Sequence, residues 1–335
     1  MVQLLGLTIL SSFITAILLV PFIDFLYRIK LQRQEQITRD PFNKKTPIFD
    51  KFNSWKVGTP MGGGLLIIIV VSILALWSYG ILNVLTNGWV ITTLFISFIG
   101  FGLLGLYDDL KKLTNKKSSF FGLRLRYKFI IQVILALIIS LILYFKLGYG
   151  FIFIRGFGLL TLGFLAIPFF TLVIVSFANA ANITDGLDGL CSGLFLISLT
   201  AFFAITSQQI DRSLGIFIAI LMGAVGAFLY FNIYKARLWL GDVGSLSLGA
   251  VLATSGLLTG KVLALVVIGG VFVLEVGSSL LQIIFKKYFH KKLFAVAPLH
   301  LWLQNKGWDE PKIVMRAWLL GFFFAILGLF IALVK

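Results

Sequence analysis

Charge is what this chain has least of. Only 13% of its 335 residues are charged and 59% are hydrophobic, against about a quarter charged and about half apolar in an average soluble domain. Mean hydropathy is +1.02. A soluble globular domain is excluded. Continuous apolar runs, in place of alternating apolar and polar residues, exclude a β-barrel. Histidine is nearly absent: His290 and His300 are the only two, so a zinc site of several histidines is excluded. The single cysteine, Cys191, can form no intramolecular disulfide and reads as inert apolar packing. No Walker-type lysine loop occurs, which argues against a nucleoside triphosphatase. Neither an internal repeat of the transporter kind nor a low-complexity tract is seen. The chain reads as one domain, 1–335.

What is there is hydrocarbon-compatible length. Nothing between Val57 and Asp108 is charged, enough for two spans at roughly 20 residues each. The other charge-free runs, with Val262–Phe285 interrupted only by Glu275, bring the expectation to about ten helices: 3–27, 60–80, 88–107, 128–147, 161–180, 189–208, 212–231, 244–260, 262–285 and 315–334. The expected class is an all-α polytopic integral membrane protein. Met1–Ile23 lacks a small-residue cleavage site and runs into a basic segment, so it reads as a retained first span.

Lysine and arginine orient the spans. Segments 28–58, 108–128, 232–243 and 286–316 hold 24 of the 29 basic residues. All four fall on one side if the spans alternate, so that side is cytoplasmic and both termini lie outside. The net charge of +16 is then a property of the cytoplasmic face. Topology and anionic headgroups account for most of it; some lysines are free to attract an anionic substrate. Split among short loops, it does not suit nucleic acid.

The 13 acidic residues are placed selectively. Asp108 and Asp109 end a span in GLYDDLKK, Asp185 and Asp188 lie in FANAANITDGLDGL, and Asp242 lies in LWLGDVGSLSLG. All five fall at cytoplasmic span ends. A carboxylate there is costly unless paired, hydrated or bound to a cation. Five from three segments suggest a site for a divalent ion, and oxygen ligands favour magnesium. Flanking glycines let backbone amides approach a phosphate. Plainer readings stand beside these. Asp185 is equally an N-cap, Asp108 and Asp109 are pairable with Lys111 and Lys112, and the glycines suit helix packing. Glu275, inside a span, is a functional candidate by default or a bundle-pairing residue.

GLYDDLKK, NAANITDGLDGL, YFNIYKARLWLGDVGSLSLG and APLHLWLQNKGWDEPKIVMRAW occur in the order seen in the polyprenyl-phosphate N-acetylhexosamine-1-phosphate transferases. KVGTPMGGG, Lys56 to Gly64, resembles that family's early lysine–glycine–threonine–proline motif. The resemblance runs from about residue 50 to 320, and the combination is specific where each motif alone is weak. It implies a magnesium-dependent transfer of phospho-MurNAc-pentapeptide from UDP to undecaprenyl phosphate, forming lipid I for peptidoglycan and releasing UMP. The partners it implies are UDP-MurNAc-pentapeptide, undecaprenyl phosphate and membrane lipids in a bacterial cytoplasmic membrane, with a homodimer admitted.

Roles carry over position by position. Asp108 and Asp109 match the acidic pair, one of which is held to deprotonate the lipid phosphate. Asp242 matches the magnesium-binding aspartate, for which a role as catalytic nucleophile is the alternative, with Asp109 as a second metal candidate. Asn182, Asp185 and Asp188 match the nucleotide-side cluster. Asn232, Lys128, Lys56 and Thr59 match further substrate-side positions. Trp239 stands where a phenylalanine faces the uracil, and another aromatic can stack there. His300 keeps the first of three usual consecutive histidines; Leu301 and Trp302 replace the others, and Gln304 replaces the acid that follows. The early motif lacks one threonine before its methionine. His290 reads as a plain loop residue, and Trp302 and Trp308 as interfacial anchors.

Two other functions remain open at this level. One is a relative transferring GlcNAc-1-phosphate for teichoic acid or surface polysaccharide. The other is a carrier without catalysis, although a transporter usually shows broken helices near mid-bilayer.

Overall fold

A computed structural model of the chain describes residues 1–33, 45–82, 87–114, 125–154, 158–207 and 212–334. Parts of the basic segments 28–58 and 108–128 lie outside the described residues, as does the end of the helix expected over 189–208. The helices are α1 (Val2–Arg28), α2 (Pro47–Asn53), α3 (Gly63–Ile81), α4 (Gly88–Phe95), α5 (Phe101–Thr114), α6 (Leu125–Phe145), α7 (Ala166–Thr184), α8 (Leu190–Thr206), α9 (Ser213–Asn232), α10 (Gly241–Leu258), α11 (Val262–Ile268), α12 (Gly270–Tyr288), α13 (Leu299–Asn305) and α14 (Glu310–Leu333). The chain is an all-α polytopic membrane protein. Among the described residues eight helices are long and apolar enough to cross a bilayer. The pair α11–α12 passes the same test but is bent by 79°, and α8 is a shorter apolar helix.

Several boundaries differ from expectation, each for a local reason. The helix expected over 88–107 continues to Thr114 through a π-turn at Ile96–Gly100, so Asp108 and Asp109 lie inside its last turns. The helix expected from 244 begins at Gly241, because Asp242 in its first turn suits the positive end of the helix dipole. The helix expected from 128 begins at Leu125 and takes Lys128 into its first turn. The span expected over 262–285 is broken at Gly269, where the chain turns between α11 and α12. A two-stranded antiparallel hairpin, β1 (Phe151–Ile154) with β2 (Gly158–Thr161), sits between α6 and α7.

The middle of the bundle is α10, buried along nearly its whole length. Glycine, serine and alanine make that position tolerable, because small side chains let helix backbones approach in lipid. A β-carbon on Gly105 would collide with the backbone of Asp242, and one on Gly64 with that of Gly244. These contacts press α5 and α3 onto the first turn of α10. Several of its hydroxyls are satisfied within the bundle: Ser255 Oγ donates to Val251 O at 2.8 Å, and Thr254 pairs with Ser97 at 2.7 Å, while Ser247 Oγ has no partner among the described residues. At the periphery α1 is tied to α9, where Ser11 Oγ donates to Ile220 O at 2.7 Å.

One end of the bundle collects the motifs. The amides at the start of α3 are capped from the 238–240 segment: Gly63 N donates to Trp239 O at 2.8 Å and Gly64 N to Leu240 O at 3.0 Å. Orphan donors at a helix start are thereby used to dock two distant motifs side by side.

Candidate active site

Two charged clusters form at this end. The first joins α5, α6, α7 and α10. Asp108 and Asp109 reach out of α5 beside Asp242 at the start of α10. Lys112, one turn further along α5, sets its Nζ at 3.2 Å from Asp108 Oδ2, 3.1 Å from Asp109 Oδ1 and 2.9 Å from Asp242 Oδ2. Lys128 bonds Asp108 Oδ2 at 3.1 Å and also pairs with Asp242 Oδ2. Asn182, near the end of α7, donates to Asp242 Oδ1 at 2.9 Å and to Ser245 Oγ at 2.8 Å. Asp109 Oδ2 accepts from Val243 N at 3.1 Å, and a β-carbon on Gly241 would lie 2.6 Å from that same oxygen. Gly241 has φ +73°, a conformation that also favours glycine.

The second cluster surrounds Lys56, which is 1% exposed. Its ammonium bonds Glu310 Oε1 at 2.7 Å and Gly186 O at 3.1 Å and lies 3.6 Å from Asp188 Oδ1. Glu310 Oε1 also accepts from Asp188 N at 2.6 Å, and Asp188 Oδ2 accepts from Ala236 N at 2.9 Å. The Trp239 ring lies under two cations: Lys56 Nζ is 4.7 Å and the Arg33 guanidinium 5.2 Å from its centroid. Burial lowers both cations from their ordinary values, with Glu310 and Asp188 opposing the shift on each. Burial also raises Asp188, against the nearby Lys56.

Asp185 stands between the clusters. Its carboxyl is pushed up to about 8, by burial first and then by the charges of Asp242 and Asp109, while Arg33 and Lys56 oppose. It is not an N-cap. Asp185 N donates to Ala181 O at 3.0 Å, closing the end of α7, and α8 starts only after Gly189. Gly186 joins the clusters to His300, because a β-carbon there would lie 2.9 Å from His300 Cε1. His300, at the start of α13, is buried and its Nδ1 pairs with Glu275 Oε2 at 3.0 Å.

The remaining expected residues are placed as follows. Thr59 is half-buried beside the Lys56 turn, and its carbonyl accepts from Arg33 N at 2.9 Å. Asn232 is buried and internally engaged: it donates to Leu238 O at 2.9 Å and accepts from Ser192 Oγ at 2.6 Å. That geometry holds the 233–240 segment in place. Leu301 is buried, while Trp302 is half-buried with Lys306 Nζ 4.4 Å from its ring centroid. Trp308 lies beneath Lys312 and Arg316. His290 ends exposed with φ 53° just after α12. Cys191 is buried, with Sγ directed at Ala181 O.

Sequence reasoning underused three residues. Lys112 was legible only as a surface partner, yet its spacing of three and four from Asp109 and Asp108 is the helical-neighbour spacing. Glu310 lies in a quoted motif and Arg33 in a basic segment, but neither could be matched to its side-chain partner, because Lys56 and Trp239 are more than two hundred residues away.

The donor set suits a hard divalent cation. Three carboxylates already converge on one ammonium, so the site is built to hold positive charge with oxygen ligands. Among the described residues no three acids, histidines or cysteines are drawn to metal-ligand spacing; Lys112 stands between them instead.

The fold is that of a polytopic helical membrane protein with carboxylates and lysines gathered at one end of the bundle. The profile of glycosyl transferase family 4 matches residues 89–260. A Geobacillus sp. (strain WCH70) protein named phospho-N-acetylmuramoyl-pentapeptide-transferase is 36% identical over 335 residues, covering 98% of both chains. Proteins of the same name from Borreliella afzelii (34%, 95% of this chain and 92% of the relative) and Bacillus licheniformis (35%, 98% of each) are similar over equal lengths. The chain belongs to glycosyl transferase family 4.

Proposed function

We propose that this protein transfers phospho-MurNAc-pentapeptide from its UDP donor to undecaprenyl phosphate in a bacterial inner membrane, giving lipid I and UMP. The observation that carries the reading is the convergence of Asp108, Asp109 and Asp242 on Lys112 and Lys128 at one end of the bundle. The names of relatives similar over nearly the whole chain support it.

Attack of one phosphate on another brings two anions together, so positioning and charge compensation do most of the work. Lys112 and Lys128 offset that repulsion while the carboxylates hold the lysines in place. Asp108 or Asp109 takes the proton of the lipid phosphate. Asp242 and Asp109 would hold a magnesium ion, which supplies charge neutralisation for the leaving phosphate. Lys56 and Arg33, stacked on Trp239, form the nucleotide wall, with Asn182, Asp185 and Asp188 beside it. The face position suits a reaction with one lipid and one soluble substrate.

The test is direct. Purified protein receives undecaprenyl phosphate and magnesium, with UDP-MurNAc-pentapeptide or UDP-GlcNAc in parallel, and UMP is measured. Release from the first donor is expected. Release from UDP-GlcNAc alone moves the assignment to the polysaccharide relative, a reading that the replacement of two usual histidines by Leu301 and Trp302 favours. No UMP from either donor leaves the carrier reading.

A further inference from the structure

A carboxylate inside a span needs a reason to be there. Glu275 lies in the second turn of α12, just beyond the 79° bend, and is 3% exposed. Its Oε2 faces both the Nδ1 of His300 at 3.0 Å and the His300 backbone N–H at 3.4 Å. Both contacts use one oxygen, so one carboxylate fixes the ring and the first turn of α13 together. The opposite ring edge abuts Gly186, whose missing side chain is what makes room for it. Among the described residues Nε2 has no hydrogen-bond partner.

The proton on a histidine is set by the partner of its other nitrogen. A carboxylate accepts and never donates when ionised. Glu275 therefore requires Nδ1 to carry hydrogen, and a neutral ring then has a bare lone pair at Nε2. That lone pair points into the Asp185–Gly186 turn, between the two charged clusters.

We infer that Glu275 is a positioning residue that locks His300 as the Nδ1–H tautomer. Nε2 is thereby presented as an acceptor for a hydroxyl or amide N–H of the donor. The assignment of a ligand group to Nε2 rests on the function proposed above; the tautomer does not. With Leu301 buried and Trp302 paired to Lys306, His300 is the single imidazole in reach of this turn. Its orientation is then decisive, and Glu275 sets it.

The chain has only two histidines, which makes the test tractable. 15N-histidine spectra of the purified protein, assigned with His290→Ala, report which ring nitrogen of His300 is protonated. The expected result is a protonated Nδ1 and a bare Nε2 in the wild type. Glu275→Gln, whose amide oxygen still accepts, keeps that pattern; Glu275→Met, which offers no acceptor, gives mixed tautomers. In parallel, Glu275→Met lowers kcat about as much as His300→Ala, and the double variant is no slower than His300→Ala alone. Glu275→Gln restores most of the rate. An Nε2–H tautomer or an imidazolium in the wild type overturns the inference, as does multiplicative loss in the double variant. Should Glu275→Met fail to fold, the wild-type spectrum decides alone. Because the spectra need no substrate, a failure of the tautomer assignment is separable from a failure of the transferase reading, which UMP release tests.

Discussion

Replacing Lys56 with methionine isolates what the buried ammonium does. Methionine keeps the length of the side chain and its packing over Trp239. It removes the positive charge that faces Glu310 Oε1 at 2.7 Å and Asp188 Oδ1 at 3.6 Å. Both carboxylates are almost fully buried, and Glu310 Oε2 has no hydrogen-bond partner among the described residues. Removing one member of such a pair costs about 3–5 kcal/mol, chiefly because a charge is left buried and uncompensated. That is a factor of roughly 10² to 10³ or more in the folding equilibrium, at 1.4 kcal/mol per tenfold. Neutralising the partner should reverse much of it: Glu310→Gln in the Lys56→Met background keeps an oxygen for Asp188 N and removes the orphan charge. The assay is the fraction of detergent-purified protein still monodisperse after a heating series. The single variant should lose the folded form at clearly lower temperature, and the double variant should regain at least half the difference. UMP release should stay low in both, because the Lys56 ammonium is missing in both and only Arg33 remains over Trp239. A Lys56→Met protein as heat-resistant as wild type, or a double variant no better than the single, refutes the reasoning.

Asp242→Asn should leave the fold intact, since Asn182 and Ser245 still occupy its surroundings, yet lower UMP release by about 10²-fold or more by loosening both lysines; near-normal turnover would remove Asp242 from the site. Gly186→Ala should press a methyl group into the His300 ring; overpacking of about 1–3 kcal/mol predicts a clear loss of heat resistance in the same heating series, and an unchanged one would show that the ring has room. Asp185, with its carboxyl near 8, is neutral below that pH and anionic above it. The raised value favours the protonated folded state, so this group's contribution to stability is complete below about 4 and fades as pH rises through 8. An anion there also repels a diphosphate donor, so donor KM should rise as pH passes 8, and Asp185→Asn should flatten that rise; an unchanged profile in the variant would exclude Asp185 as its source.

The spans were legible because hydrocarbon length is a one-dimensional property: a charge-free run long enough to cross is visible without knowing its neighbours. The bend at Gly269 was not, since the run continues through it and only packing of α11 on α14 and of α12 on α7 shows the turn. The carboxylates were legible for the opposite reason, that each violates its apolar context. Their lysine partners were harder. Lys112 stood at helical-neighbour spacing from Asp108 and Asp109, but nothing local revealed its third partner, Asp242. Glu310 follows a loop tryptophan and aspartate and reads as a first-turn acid; its bond to Lys56 spans 254 positions. Asp185 shows the limit of local rules. A short acid between two helices suggests a cap on the second, whereas the chain spends Asp188 and Gly189 before α8 begins.

The two charged clusters divide one problem between them. Cluster one has acids outnumbering lysines, and its carboxylates hold the lysines by direct bonds; such a site can exchange one cation for another or lend a cation to an incoming phosphate. Cluster two buries its cation deeply and covers it with tryptophan, so its charge is fixed and its face is flat. The tryptophan is itself 4% exposed, so its ring serves the two cations that lie over it. The chain joins them through residues 185–188, where one carboxyl is held neutral, one glycine carbonyl binds Lys56 and the same glycine makes room for His300.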